Sequence, residues 1–379
     1  MLWVPANWKE ELIEASLGRP VRGFFGSLRR DPVGGGRPSG IIPEIEKEKA
    51  AEFVERAHKA GFEFAYAMGG PCLGNREYTE EGLEGIFDHL KWLSEIKADY
   101  VIVSHPLLCE IAKKRFPLKV KISTVACVNT PNALRFWEEL GADIVTIDFM
   151  RNRDFQTLKK LARAARCELE VIVNDACLPS CPFRLSDYAS SSHSVRDAHR
   201  LLGGFSHLRC ALEKLKDPIW LLRSPWIRPE DLHEYEKIGI ENFKISGREF
   251  STSRILKALR AYSERRSPPN FAEILSSPPS WGSFDGLAAA LSLDARKLAG
   301  FLEFFKRGKC AFDCFLCKWC ERWKEAIKVK EPQRSLLISL LRLSIRLILE
   351  GRNASPFFAG AMLLEKIWRI KEKLTFGAF

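Results

Sequence analysis

Four cysteines stand within eleven residues near the end of the chain, in the pattern Cys310-x₃-Cys314-x₂-Cys317-x₂-Cys320. Thiolates are soft ligands, and Cys314, Cys317 and Cys320 have the spacing of ferredoxin-type loops, in which one turn of chain wraps three corners of an iron–sulfur cube. Structural zinc sites more often draw on two separated pairs, so a [4Fe–4S] cluster is favoured here, with Zn²⁺ as the alternative. Trp319 and Trp323 would shield such a site. A second pair, Cys177-x₃-Cys181, encloses Pro179 and Ser180, so its loop can turn both sulfurs toward one centre. Two further ligands must come from elsewhere. Cys72, behind the Gly69-Gly70-Pro71 turn, is the first candidate and Cys210 the second, while Cys109, Cys127 and Cys167 read as buried structural thiols. The chain opens on Met1-Leu2-Trp3-Val4-Pro5 and runs into Lys9, Glu10 and Glu11, with no basic stretch followed by an apolar one. A cytoplasmic location is therefore expected, and there clustered thiols are metal or cluster ligands rather than disulfides.

Groups of this kind must be held by a framework. The 379 residues are 46% hydrophobic and 28% charged, a balance that excludes disorder, collagen-like repeats and a polytopic membrane protein. Short apolar runs rich in β-branched residues recur and are followed by stretches of helical periodicity. Strands are predicted at Val21–Gly26, Phe62–Ala67, Asp99–Ser104, Leu118–Thr124, Asp143–Asp148, Glu168–Asn174, Pro218–Arg223 and Asn242–Ser246. Helices are predicted at Pro43–Ala60, Glu80–Ile96, Pro131–Leu140, Arg153–Ala165, Pro229–Ile238 and Thr252–Arg265. Continuous apolar strands suit a parallel sheet buried on both faces. The prediction is an α/β, TIM-like (β/α)₈ barrel over residues 1–266, with a doubly wound open sheet as the runner-up. A Pro/Ser-rich linker and a short helix would occupy 267–300, and a cysteine-rich helical extension 301–379. In that extension amphipathic helices are predicted near Gln333–Glu350 and Phe358–Lys373. The first carries Ser335, Ser339, Arg342 and Arg346 as one polar stripe, and is too interrupted to span a bilayer.

In a barrel of this type the reactive groups lie just beyond the carboxyl ends of the strands. The predicted strands lead into Asn75, His105, Asn129, Asp148, Asn174, Arg184, Arg223, Arg228, Lys244 and Arg248. Lys244 and Arg248 flank Gly247, where the backbone can approach a ligand closely, and the two cations could hold a carboxylate or a phosphate. With Arg184, Arg223 and Arg228 they would make a five-cation rim suited to an anionic substrate, unless Asp148, Asp175, Glu230 or Asp231 neutralises some of them.

Four segments together, Pro71-Cys-Leu-Gly-Asn75, Asn174-Asp-Ala-Cys-Leu-Pro-Ser-Cys-Pro-Phe-Arg184, Ser224-Pro-Trp-Ile-Arg-Pro-Glu-Asp-Leu232 and Phe243-Lys-Ile-Ser-Gly-Arg248, resemble the peptidase U-32 family, also called collagenase-like proteases. The resemblance covers roughly residues 20–265. It implies a TIM-barrel-like catalytic domain whose better-understood relatives bind a [4Fe–4S] cluster through four cysteines. Those relatives act in oxygen-independent hydroxylation of ubiquinone precursors, or of tRNA and ribosomal RNA bases with prephenate implicated. By the same resemblance Cys177 and Cys181 fall in the family's post-strand cysteine region, Cys72 falls where one branch has an early ligand, and Cys210 corresponds loosely to a third. Many members have a cysteine where this chain has His233. No Ser, His and Asp arrangement and no HExxH site appears, so the residues themselves do not support proteolysis.

Catalytic roles are therefore expected for Lys244, Arg248, Arg228 and Asp148, and substrate contacts for Asn75, His105, Asn129, Asn174, Arg184 and Arg223. One [4Fe–4S] cluster is expected, with a second at the tail. The function that follows is hydroxylation, or a related modification, of an anionic small molecule or an RNA-borne substrate, served by an electron donor or protein partner. A metal-dependent peptidase and a non-enzymatic RNA-binding or assembly protein are the alternatives. The chain's net charge of +11 is concentrated in residues 301–379, where 16 basic residues meet 8 acidic ones. Such a surface could meet RNA phosphates or anionic lipid, or simply be solvated.

Overall fold

The structure is a computed structural model and describes residues 1–197, 204–276, 280–281 and 284–352. Eight parallel strands close into a barrel: β1 (Leu2–Pro5), β2 (Val21–Gly26), β3 (Glu63–Met68), β4 (Tyr100–Val103), β5 (Lys119–Ile122), β6 (Ile144–Thr146), β7 (Glu168–Ile172) and β8 (Asn242–Lys244). β1 pairs with β8 on one side and β2 on the other, with Leu2 opposite both Phe243 and Val21. The barrel is as predicted, but one of its strands is not. Pro218–Arg223, expected as a strand, forms the helix Ile219–Arg223 behind Asp217, whose carboxylate accepts from the Ile219 amide at 3.2 Å. The strand is supplied instead by the first residues of the chain. Both segments are short apolar runs, and periodicity cannot tell a buried strand from one turn of buried helix.

Helices between the strands follow their start signals. Thr79, Thr130, Asp154 and Ser251 each cap a helix by accepting from the amide three residues on. Inside the barrel Trp3, Phe25, Ala65, Tyr100, Ile102 and Ile144 form one apolar layer. Arg22 closes the amino-terminal end, pairing with Glu63 at 2.6 Å and with Glu168, and donating to the Tyr100 hydroxyl at 2.8 Å. The carboxyl end carries polar groups among apolar ones. Between β7 and β8 the helices Arg184–Asp197, Phe205–Lys216, Ile219–Arg223 and Leu232–Glu236 are inserted, and the first two reach that end through Asp187, Tyr188 and His207.

The stretch expected as a linker is packed where it is described. Phe271, Ala272, Ile274 and Leu275 are buried. Ser276 donates its amide to the Asn174 carbonyl at 2.7 Å and accepts from Ala176 at 2.8 Å, which ties it to the end of β7. Farther on, Leu291–Leu293 and Ile327–Val329 pair as an antiparallel ribbon around the cysteine-rich segment. The helix Glu331–Leu349 lies on Phe205–Lys216, with Arg334 donating to the Leu215 carbonyl at 2.6 Å. Ser335, Ser339, Arg342 and Arg346 face solvent, as their stripe predicts. The expected helix Phe358–Lys373 lies outside the described residues. Among the described residues no helix is long and apolar enough to cross a membrane.

Candidate active site at the barrel mouth

A cavity of about 140 Å³ opens at the carboxyl ends of the strands, with Lys244, Arg248, Arg37, Asp175, Cys177 and Tyr188 on its wall. Lys244 is the last residue of β8 and is buried, with its Nζ 4.1 Å from the centre of the Phe25 ring. Burial lowers its amine to about 7, a shift that Lys121 and Arg248 reinforce and that Glu170 and Asp175 oppose. Below it, fully buried Lys121 and Glu170 form an ion pair, and Thr146 donates to Glu170 at 2.8 Å. Arg248 is buried too and donates to the Ser27 hydroxyl. Burial lowers its guanidinium to about 10. Among the described residues neither Lys244 nor Arg248 makes an ion pair. Gly247, between them, has φ +126°, and a Cβ there would lie 2.2 Å from the Phe250 ring. Its role is thus to let the chain turn over Phe250, rather than to clear space for a ligand.

The other rim cations are spoken for. Arg184 binds Asp148 through both amino groups, at 2.7 and 3.1 Å. Arg228 binds Asp231 in the same forked manner at 2.6 and 2.8 Å and donates to the Ala295 carbonyl. Arg223 pairs with Glu321 at 3.0 Å, away from the mouth, as follows from its helical rather than strand-end position. The five-cation rim therefore reduces to two cations that face the cavity without a carboxylate.

Of the expected substrate contacts, Asn174 is buried and donates to the Ser246 and Ile274 carbonyls while accepting from the Ser246 amide, so it stitches the rim together. Asn129 reaches Asp148 at 3.4 Å, Asn75 is exposed in a left-handed turn, and His105 stands 3.8 Å from Glu77. None of these lines the mouth cavity. Arg37 does, and sequence reasoning passed over it. It bridges Asp175 and Glu249 from the loop after β2, and its neighbours Gly34-Gly35-Gly36 were the available signal. Gly34 has φ +76°, and a Cβ there would lie 2.3 Å from the Ser192 carbonyl, so the glycine admits the helix Arg184–Asp197 to the rim. That helix brings Asp187 and Tyr188 to the cavity, where His207 pairs with Asp187 at 3.2 Å.

Thiols fall into three groups. Cys177 and Cys181 are raised chiefly by burial, and each also feels Cys210, so these three share one neighbourhood beside the mouth. Cys72 has its Sγ 3.2 Å from His193 Nε2. In the tail, Cys310, Cys314 and Cys320 line a second cavity of about 310 Å³, with Cys317 beside it. Beneath them lies Arg153, buried, held by the Leu222 and Trp226 carbonyls at 2.5 and 3.1 Å and stacked within 4.4 Å of Trp226 and 4.9 Å of Phe301. Among the described residues no three His, Cys, Asp or Glu side chains converge on a point for a single metal ion. A cluster makes a different demand, four thiols around a space, with neighbouring charge only tuning its potential. The tail offers four thiols beside a cavity, so its donor set fits an iron–sulfur cluster. The mouth offers three neighbouring thiols.

Fold and site together describe a (β/α)₈-barrel protein whose mouth carries two basic side chains without ion pairs, flanked by thiols. Known proteins narrow this class. The profile of Peptidase family U32 matches residues 43–200. The uncharacterized protease MJ1657 of Methanocaldococcus jannaschii is 31% identical over 299 residues, which are 79% of this chain and 86% of that one. The tRNA hydroxylation protein P1 of Bacillus subtilis is 26% identical over 170 residues, covering 44% of this chain and 38% of its own length. The solved structure of the U32 peptidase Mk0906 shares the fold, with a TM-score of 0.50 at 19% identity over 65% of this chain and 92% of that one. The chain belongs to peptidase family U32.

Proposed function

We propose that this protein is an iron–sulfur-dependent U32 enzyme that hydroxylates or otherwise modifies an anionic small molecule or an anionic group presented by RNA at the barrel mouth. The observation that carries the reading is the pair of buried basic side chains, Lys244 and Arg248, which line the cavity without an ion pair of their own while its carboxylates are held by Arg37 and His207 and Cys177 lines the same wall. Burying charges without partners is costly, so such a pair is maintained where a ligand supplies the missing anion. The named tRNA hydroxylation relative supports RNA as the carrier of the modified group. Cys177, Cys181 and Cys210 would hold a rim cluster with a fourth ligand from outside their neighbourhood, and Cys310, Cys314, Cys317 and Cys320 a second one. Bound there, a [4Fe–4S] cluster supplies one-electron chemistry. The chain's own cations orient the substrate, and Asp175, hydrogen-bonded to Ser246 at 2.7 Å, can accept or return a proton. The test is anaerobic purification with iron and sulfide analysis, followed by incubation with unmodified tRNA and prephenate as the oxygen-donating co-substrate, and nucleoside mass spectrometry. A gain of one oxygen is expected. Absence of iron under anaerobic conditions would refute the redox reading.

The peptidase alternative gains one observation. Cys72 and His193, 121 residues apart, meet at hydrogen-bond distance, a thiol–imidazole contact that the sequence did not reveal. Hydrolysis of casein that is lost on Cys72→Ala would favour that reading.

A further inference from the structure

Lys244 and Arg248 differ from the other basic side chains expected at the mouth. Arg37, Arg184, Arg223 and Arg228 each hold a carboxylate. Lys244 instead lies on the face of Phe25, at the wall of the cavity, with no hydrogen-bond acceptor for its Nζ among the described residues. An amine that is desolvated, stacked on an apolar ring and crowded by other cations is held back from protonation, and in that state it is a nucleophile rather than a counter-ion. The charged groups that act on it most are Glu170 from β7, Lys121 from β5, Asp175 beyond β7 and Arg248 beyond its own strand, and Arg37, Glu249, Asp187 and His207 line the same cavity. Glu170 is already paired with Lys121, Asp175 and Glu249 with Arg37, and Asp187 with His207, which leaves Lys244 without a dedicated acid. Arg248 borders the same cavity and remains available for a carboxylate.

We propose that Lys244 is a covalent site, whose amine condenses with the carbonyl of a small aldehyde or ketone while Arg248 holds that molecule's carboxylate. The amine nitrogen forms a bond to the carbonyl carbon, the carbonyl oxygen departs as water with both amine protons, and a neutral imine remains. No oxidant or reductant is consumed. Protonation of the imine nitrogen then gives an iminium that draws electrons from the ligand's neighbouring carbon, and Asp175 is the carboxylate placed to exchange that carbon's proton. This inference rests on the reading of the mouth as an anion site and adds what kind of anion it takes.

The experiment uses the full chain with pyruvate as the probe and cyanoborohydride to reduce any imine, read by intact mass and peptide mapping. One carboxyethyl group per chain, on Lys244, is expected. Trapping should rise with pH to a midpoint near 7 rather than near the ordinary lysine value of 10.5. Over the same range, binding of succinate, which has no carbonyl, should weaken as Lys244 loses its proton. Arg248→Met should raise the pyruvate concentration for half-maximal trapping by about tenfold or more and leave trapping of acetone unchanged. Lys244→Met should abolish the label. Lys244→Arg, which keeps a cation and guards against misfolding, should still bind succinate but trap nothing. A label that persists in Lys244→Arg, or that spreads evenly over surface lysines, would overturn the proposal. So would succinate binding without trapping in the unaltered chain, an outcome that leaves the anion site standing. Trapping in a chain that carries no iron and hydroxylates no RNA would instead sink the redox reading and keep the imine site.

Discussion

The barrel mouth and the tail cavity are built from the same materials and arranged differently. Each brings thiols beside a buried cation that lacks a carboxylate. At the tail, Arg153 is fixed by two backbone carbonyls and enclosed by Trp226, Phe301 and Phe305, so it can only act as a stationary positive charge under the cysteines. At the mouth, Lys244 and Arg248 line open space and are anchored by little more than a ring face and a hydroxyl. A cation whose donors are satisfied tunes what sits beside it; one whose donors are unspent binds what arrives. Between the two regions stands the Arg184–Asp148 pair, which lines the tail cavity while its helix forms part of the mouth.

The sharpest way to break this comparison is to remove thiols from one region at a time. Cys177→Ala/Cys181→Ala and Cys314→Ala/Cys317→Ala should each remove about half of the iron and leave the other cluster's spectrum intact, since ligand sets on different segments bind independently. Loss of all iron from either double variant would merge the two sites into one. Next in size is the pair between them. Asp148→Ala leaves the half-buried Arg184 guanidinium uncompensated and should lower unfolding free energy by about 2 kcal/mol, measured by urea denaturation. A change below about 1 kcal/mol would show the pair to be solvated. A smaller effect is expected on the solvent face of the tail. If RNA docks there, Arg342→Gln/Arg346→Gln should reduce the slope of log affinity against log salt by about 2 and weaken binding alike for all sequences. An unchanged slope would leave that helix as a packing element. The least effect belongs to Arg153→Met, which keeps the volume and removes the charge. It should move the tail cluster's reduction potential to more negative values, on the order of tens of millivolts, because the reduced cluster loses a neighbouring cation. A redox titration followed by electron paramagnetic resonance reads this directly, and no shift would place Arg153 too far away to matter.

The closed barrel was legible because eight units of apolar strand and amphipathic helix repeat along the first 250 residues, and a parallel sheet buried on both faces leaves that signature. Seven of its strands could be placed. The eighth, Leu2–Pro5, could not, since four residues carry no period and its partners Val21 and Phe243 are distant in the chain. That single exchange moved Arg223 from the mouth to the tail. Lys244, Arg248 and Cys177 were legible as residues of the mouth because Lys244 ends, and the other two follow, a strand that was correctly placed.

By itself, then, the sequence determined the barrel class, the helix starts, the dense cysteine run at 310–320 and the family to which the chain belongs, all of which rest on local spacing and residue type. Tertiary structure alone decided which cations remain free, because neutralisation depends on partners such as Asp231 for Arg228 and Glu321 for Arg223, whose approach is set by packing. It decided also that Cys72 meets His193, and that Arg37, 207 residues before Lys244, shares its cavity. Charge is written in the chain, but a charge becomes a site only where folding withholds both water and a counter-ion from it.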